Sequence, residues 1–275
     1  MTSPLPPAFF TPDGDDFTPT SMAKGPWGST IGGNFVGGIL GHVVENAIEK
    51  AIDGDWQPAR LTVDLLRPAV MDTVRGRASI VRQGRRLILV EAELLQSDTV
   101  VARATGLFLH RGEQPKGEVW TSPLAMPPVP PVSEKLTAGV PLLIWAYGRN
   151  AGVAGRSFDL TEWQHDGPKF VWVRDLVPLI DGVATTPFTR ASMAGDVASS
   201  LTHYGTMGLE HINADYTLTL SRLPEGRDIG LAALTYSGHD GIATGTAALF
   251  DAGGQIGTAT ATTLANPGFN PRSLG

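Results

Sequence analysis

Residues 59–70 read ARLTVDLLRPAV, an alternation of apolar and polar side chains closed by Arg67-Pro68. Such a period of two predicts a half-buried strand. Residues 214–225, ADYTLTLSRLPE, repeat the pattern and close on Arg222-Leu223-Pro224. Further runs follow each of these in the same order. Ser79–Leu95 and Ala233–Phe250 each read as run, turn and run, with turns predicted at Gly84 and Gly238, and Val100–Phe108 and Gln255–Thr263 come last. Arg222 lies 155 residues after Arg67, Gly238 lies 154 after Gly84, and Thr260 lies 155 after Thr105. An offset held across three elements predicts an internal repeat with a shared strand order.

Each half also shows one helical pattern ahead of its strands. Over residues 37–52 the apolar pairs Ile39/Leu40, Val43/Val44, Ala47/Ile48 and Ala51/Ile52 recur every four residues, and Gly54 stops the run. Over residues 187–201, Ala191, Ala194, Val197, Ala198 and Leu201 keep helical spacing behind a Thr186 cap and Pro187. The halves are predicted to span 1–112 and 168–275. Between them, 113–167 reads as a proline-rich linker that crosses the molecule, and SPLAMPPVPPVSEK favours extended backbone without ladder bonds. Leu143, Trp145 and Tyr147 are too apolar to float free and predict partial order in it.

Composition narrows the function. The 42% hydrophobic content supports a sizeable core, and 54 glycines and prolines suit many short elements. A net charge of −6 gives no general pull toward nucleic acid or anionic lipid. The absence of cysteine removes disulfides, thiolate metal sites and cysteine nucleophiles, and fits a cytoplasmic protein. No run of about 18 apolar residues offers a membrane span, and the amino end has neither the basic start nor the apolar run of a secretory signal.

Helix-then-curved-sheet, stated twice, resembles a double hotdog protein, an α+β fold of two helix-wrapped antiparallel sheets joined edge to edge. In detail the chain is similar to the acyl-CoA thioesterase II group and its actinobacterial relatives. The residues behind this are GGNFVGGILGHVV (Gly32–Val44), DLLRP (Asp64–Pro68), QGRRLILVEAEL (Gln83–Leu94) and FVWVRDLVPL (Phe170–Leu179). The resemblance implies hydrolysis of a fatty acyl-CoA to free acid and coenzyme A by carboxylate-assisted attack of water. It implies no cofactor beyond the coenzyme A of the substrate, and a homodimer or higher homo-oligomer.

For the catalytic group it points to Asp215, seven residues before Arg222, with Thr235 on the next strand and Thr262 on the last. Thr262 stands where the family has Gln, a departure, because a hydroxyl lacks the amide's paired donor and acceptor. Gly33, Asn34 and Gly37 at the helix entrance allow close approach of backbone amides to a carbonyl oxygen; glycines that merely let elements pack are the alternative. Arg85 and Arg86, in a cluster with Arg75, Arg77 and Arg82, are candidates for the phosphates of coenzyme A or for a solvated strand face. Asp64 reads as structural. His42 with Glu45 and Glu49 lacks a third ligand at metal spacing, so no metal is expected. A non-catalytic acyl-thioester binder or scaffold, or a hotdog dehydratase or hydratase, is the alternative function.

Overall fold

The computed structural model describes residues 5–49, 51–121, 123–132, 140–147 and 160–266. The outer limits set above for the two halves, and the middle of the linker, lie outside the described residues. In chain order the hairpin β1 (Phe10–Asp13) and β2 (Asp16–Pro19) precedes helix α1 (Gly33–Glu49). Strands β3 (Trp56–Leu65), β4 (Val74–Gln83), β5 (Leu87–Gln96) and β6 (Thr99–His110) complete the first half. After the linker come β7 (Leu142–Tyr147), β8 (Phe170–Asp175) and helix α2 (Pro187–His203). The short β9 (Tyr204–Gly205), β10 (Gly208–Leu209) and β11 (His211–Asn213) lead into β12 (Asp215–Leu220), β13 (Asp228–His239), β14 (Ile242–Asp251) and β15 (Gly254–Ala265).

All but β9 and β10 join one antiparallel sheet, in the order β1-β2-β4-β5-β6-β3-β12-β15-β14-β13-β8-β7, with β11 on β15. The halves meet where β3 pairs with β12, Leu61 opposite Leu218 and Asp64 opposite Asp215. At the centre of that seam the hydroxyls of Thr62 and Thr217 lie 3.1 Å apart. These two residues are repeat equivalents, 155 positions apart. Each being the other's partner, the axis relating the halves passes between them. Pro58 lacks an N–H for the ladder, and the β3–β6 register slips between Pro58 and Arg60.

Strand alternation decides the layers. Leu61, Val63, Tyr216 and Leu218 point inward and are fully buried, while Thr62, Asp64, Asp215 and Thr217 take the opposite face. Inside the curved sheet, α1 and α2 pack antiparallel: Gly33 adjoins Asp196 and Gly41 adjoins Ser192. A methyl group on Gly37 would overlap the Tyr216 hydroxyl, which donates to the Ser192 carbonyl at 2.7 Å. That glycine is therefore a packing residue beneath a tyrosine, and the structure removes it from the substrate-facing group.

The helix boundaries differ modestly from the predicted ones. α1 starts at Gly33 rather than 37 because Phe35 belongs to its first turn, buried against Phe9 at a ring separation of 4.3 Å. α2 keeps its cap: the Thr189 N–H donates to the Thr186 hydroxyl at 3.0 Å, with Pro187 at the first position. The β13–β14 turn falls just beyond Gly238, at Asp240 and Gly241, which hold positive φ. Within the linker, Leu143, Trp145 and Tyr147 are buried in β7. Residues 124–129 cover the outer face of β8 and β13, where Trp172 Nε1 donates to the Pro127 carbonyl at 2.8 Å.

Candidate active site

α1 begins at Gly33 and is preceded by Gly32, which has no side chain to act as a cap. The cap comes from the other helix. Asp196, the one carboxylate in α2, accepts the backbone N–H of Asn34, and a Cβ on Gly33 would lie 2.9 Å from both of its oxygens. The absence of that Cβ lets the carboxylate reach the positive end of the α1 dipole. Asn213 completes the cluster, donating Nδ2–H to Asp196 Oδ1 at 2.9 Å. Enclosure by protein outweighs these hydrogen bonds and pushes the Asp196 pKa up to about 6.

This trio opens on a cavity of about 530 Å³, within the range of small-molecule sites. One arm runs outward past Trp27 to Leu66, Arg67 and Pro68, which are exposed. The other runs inward to Leu142, Val173, Ile229 and Trp163, each at most 9% exposed, with the Asp175–Arg190 ion pair also in the lining. A buried carboxylate with a pKa near neutrality, beside helix-start amides and a closed apolar arm, can take a proton from water next to an electrophilic carbonyl. Metal-ligand groups of three or more His, Cys, Asp or Glu are absent among the described residues.

The residues singled out from the sequence fall in three places. Gly33 and Asn34 line the cavity at Asp196. Asp215 and Thr262 are brought together, the Thr262 N–H donating to Asp215 Oδ1 at 2.7 Å, but on the outer face of the sheet, turned from the cavity. Thr235 does not join them. β15 and β14 lie between β12 and β13, and its hydroxyl accepts the Thr246 N–H at 3.2 Å. Sequence neighbours β12 and β13 are thus not sheet neighbours.

Arg85 and Arg86 occupy the exposed β4–β5 turn. That turn is at the opposite end of β5 from Leu94, which pairs with the cavity residue Ala102. Of the arginines that line the cavity, Arg67 is exposed and Arg190 is paired with Asp175. Asp64 is exposed on the outer face, opposite Asp215. Glu45 accepts the Thr186 hydroxyl at 2.5 Å, at the start of α2, and burial raises its pKa. His42 pairs with Asn46 at 2.8 Å.

Asp196 and Asn213 escaped the sequence reading for identifiable reasons. Asp196 looked like one polar residue in MAGDVASS; its signal was a lone carboxylate among small residues in a helix that must be central. Asn213 would share a face with Asp215 in an unbroken strand. The bend at Ala214 between β11 and β12 turns Asn213 inward and leaves Asp215 outward.

The chain has counterparts among known proteins. Residues 24–109 match the model of the acyl-CoA thioesterase N-terminal domain. No curated protein sequence matches the chain. Among solved structures, it superimposes on a hot-dog-fold protein of unknown function from Alicyclobacillus acidocaldarius with a TM-score of 0.64 at 18% identity, covering 94% of this chain and 95% of that one. The tesB protein of Mycobacterium avium subspecies paratuberculosis gives 0.62 at 14%, covering 92% and 93%. Acyl-CoA thioesterase II TesB2 from Mycobacterium marinum gives 0.60 at 14%, covering 93% and 94%. At these identities the likeness speaks for the fold.

Proposed function

We propose that the chain, which shares the fold of acyl-CoA thioesterase II structures and matches the acyl-CoA thioesterase N-terminal domain over residues 24–109, hydrolyses acyl-CoA thioesters, with Asp196 as the catalytic carboxylate. The observation behind this is the meeting of Asp196, Asn213 and the α1 amides at the junction of an open and a closed cavity arm. The open arm suits coenzyme A, with Arg67 near its phosphates. The closed arm suits the acyl group.

The thioester carbonyl lies at the start of α1. Asp196 accepts a proton from a water as the water oxygen bonds to the carbonyl carbon. The oxygen of the tetrahedral intermediate takes its negative charge against the N–H groups of Gly33 and Asn34, at the positive end of the helix dipole. The Asn34 N–H, held by Asp196 at rest, becomes a donor to that oxygen once Asp196 is protonated. Collapse breaks the carbon–sulfur bond, and the departing thiolate recovers the proton from Asp196. Asn213 holds the carboxylate in position throughout and acts as a positioning residue.

The test is thiol release from a panel of acyl-CoAs by the wild type, Asp196→Asn and Asp215→Asn. Loss of turnover by at least a hundredfold in Asp196→Asn, with Asp215→Asn within a few-fold of wild type, supports this site. The reverse result returns the chemistry to the outer face and to Asp215 with Thr262. Saturable binding without turnover in any form favours the non-catalytic binder.

A further inference from the structure

The closed arm has an end, and that end is not built by the repeat. Its walls include Val173 and Ile229 from the second half and Val197 from α2. The Asp175–Arg190 ion pair also lines the cavity, and a further part of its wall comes from the segment between the halves: Leu142 and Ile144 from β7, and Trp163 from a short 3-10 turn at Leu160–Trp163. Trp163 is 1% exposed. Its indole is fixed at both ends, with Nε1 donating to the Phe170 carbonyl at 3.2 Å and the ring edge-on to Tyr204 at 5.9 Å. A large ring held by a hydrogen bond and a buried aromatic neighbour is a rigid stop.

The geometry points to Trp163 as the residue that limits acyl length, with Ile144 narrowing the approach to it. The substrate class is then an aliphatic acyl-CoA whose chain lies along α2 and stops against the indole. This inference rests on the proposed hydrolytic reading for the location of the thioester, but it is a statement about binding and can be measured without turnover. Each methylene buried in an apolar arm is worth about fourfold in affinity, from ~0.8 kcal/mol per CH2. Once the chain meets a rigid stop, further carbons bring no gain.

The probe is a series of S-alkyl-CoA thioethers of increasing length, which cannot be hydrolysed, titrated by calorimetry against wild type, Trp163→Leu and Ile144→Phe. For wild type, affinity climbs with chain length and then breaks off. In Trp163→Leu the break moves to longer chains, with thioethers just past the wild-type limit gaining about tenfold or more. In Ile144→Phe the break moves to shorter chains. Should Trp163→Leu fail to fold, Ile144→Phe carries the test alone.

Breaks that stay in place in both variants, or an affinity indifferent to chain length, overturn the assignment. Thiol release assayed in parallel separates the two claims. Shifting breaks without any thiol release leave the length stop standing and remove the hydrolase. Thiol release whose chain-length profile ignores both substitutions does the opposite.

Discussion

Burial of Asp196 costs stability, and the proposed catalysis depends on that burial. The folded chain holds the Asp196 proton up to about pH 6, whereas an ordinary Asp releases it near 3.8. Between those values the unfolded state is the more deprotonated, so raising the pH through this window removes native stability, on the order of 3 kcal/mol when the shift is fully expressed. Asp196→Asn keeps an acceptor for Asn213 and the Asn34 amide without the buried charge. At pH 7 it is expected to raise Tm by several degrees while abolishing thiol release, and the Tm gain should vanish below about pH 4. Calorimetric melts at pH 4 and 7 check this, and a Tm that falls equally at both would mean that Asp196 is structural. The same titration governs rate. kcat/KM should rise as pH increases through about 6, where the carboxylate becomes ionised, and a profile flat from pH 5 to 8 would count against Asp196 as the base. At the mouth, Arg67→Ala should raise KM for acyl-CoA severalfold with little change in kcat.

At the scale of elements, the two helices are held close by residues that have little side chain to spare. Gly33, Gly37 and Gly41 recur every fourth residue on the α1 face toward α2, and the third lies against Ser192. Gly37→Ala would drive a methyl into Tyr216, and overpacking of this kind destabilises by about 1–3 kcal/mol. Removing the hydroxyl in Gly37→Ala/Tyr216→Phe should recover part of that loss, a coupling that urea melts of the four-member cycle would reveal; strict additivity would mean the methyl is accommodated elsewhere. The pairing of helix starts is unequal. Asp196 caps α1 and opens on a cavity, whereas at α2 the Thr186 cap is itself bonded by Glu45. The positions 154 and 155 residues before Asp196 are His42 and Gly41, neither a carboxylate. The repeat was legible because strand and helix periods survive in both halves; the divergence of their helix starts was not, since it turns on contacts between the helices.

For the whole molecule, neither half is complete without the other. The β3 edge is covered by β12, the first amides of α1 are capped by α2, and the cavity is lined from both halves and the linker. A chain ending after β6 would expose the β3 edge and the α1 face that packs on α2, an invitation to self-association. Expressed alone, residues 1–112 are expected to be dimeric or insoluble and to release no thiol. A monodisperse, folded monomer in sedimentation would show that the first half folds without the seam.

Alternation, helical spacing and the constant offset belong to the chain itself, because each is set by neighbours a few residues away or by a comparison of the chain with itself. From them the paired helix-and-sheet halves and the order of the helix and main strands within each could be read directly, whereas the pairing of β3 with β12 at the seam could not. They also showed that Asp215 and Thr262 lie on a polar face. Which side of the sheet held the cavity was another matter. That depended on β15 and β14 coming between β12 and β13, on the bend at Ala214, and on one helix start being left for a carboxylate of the other helix. Local sequence sets the direction of a side chain along its own element; only the packing of distant elements decides what that side chain meets.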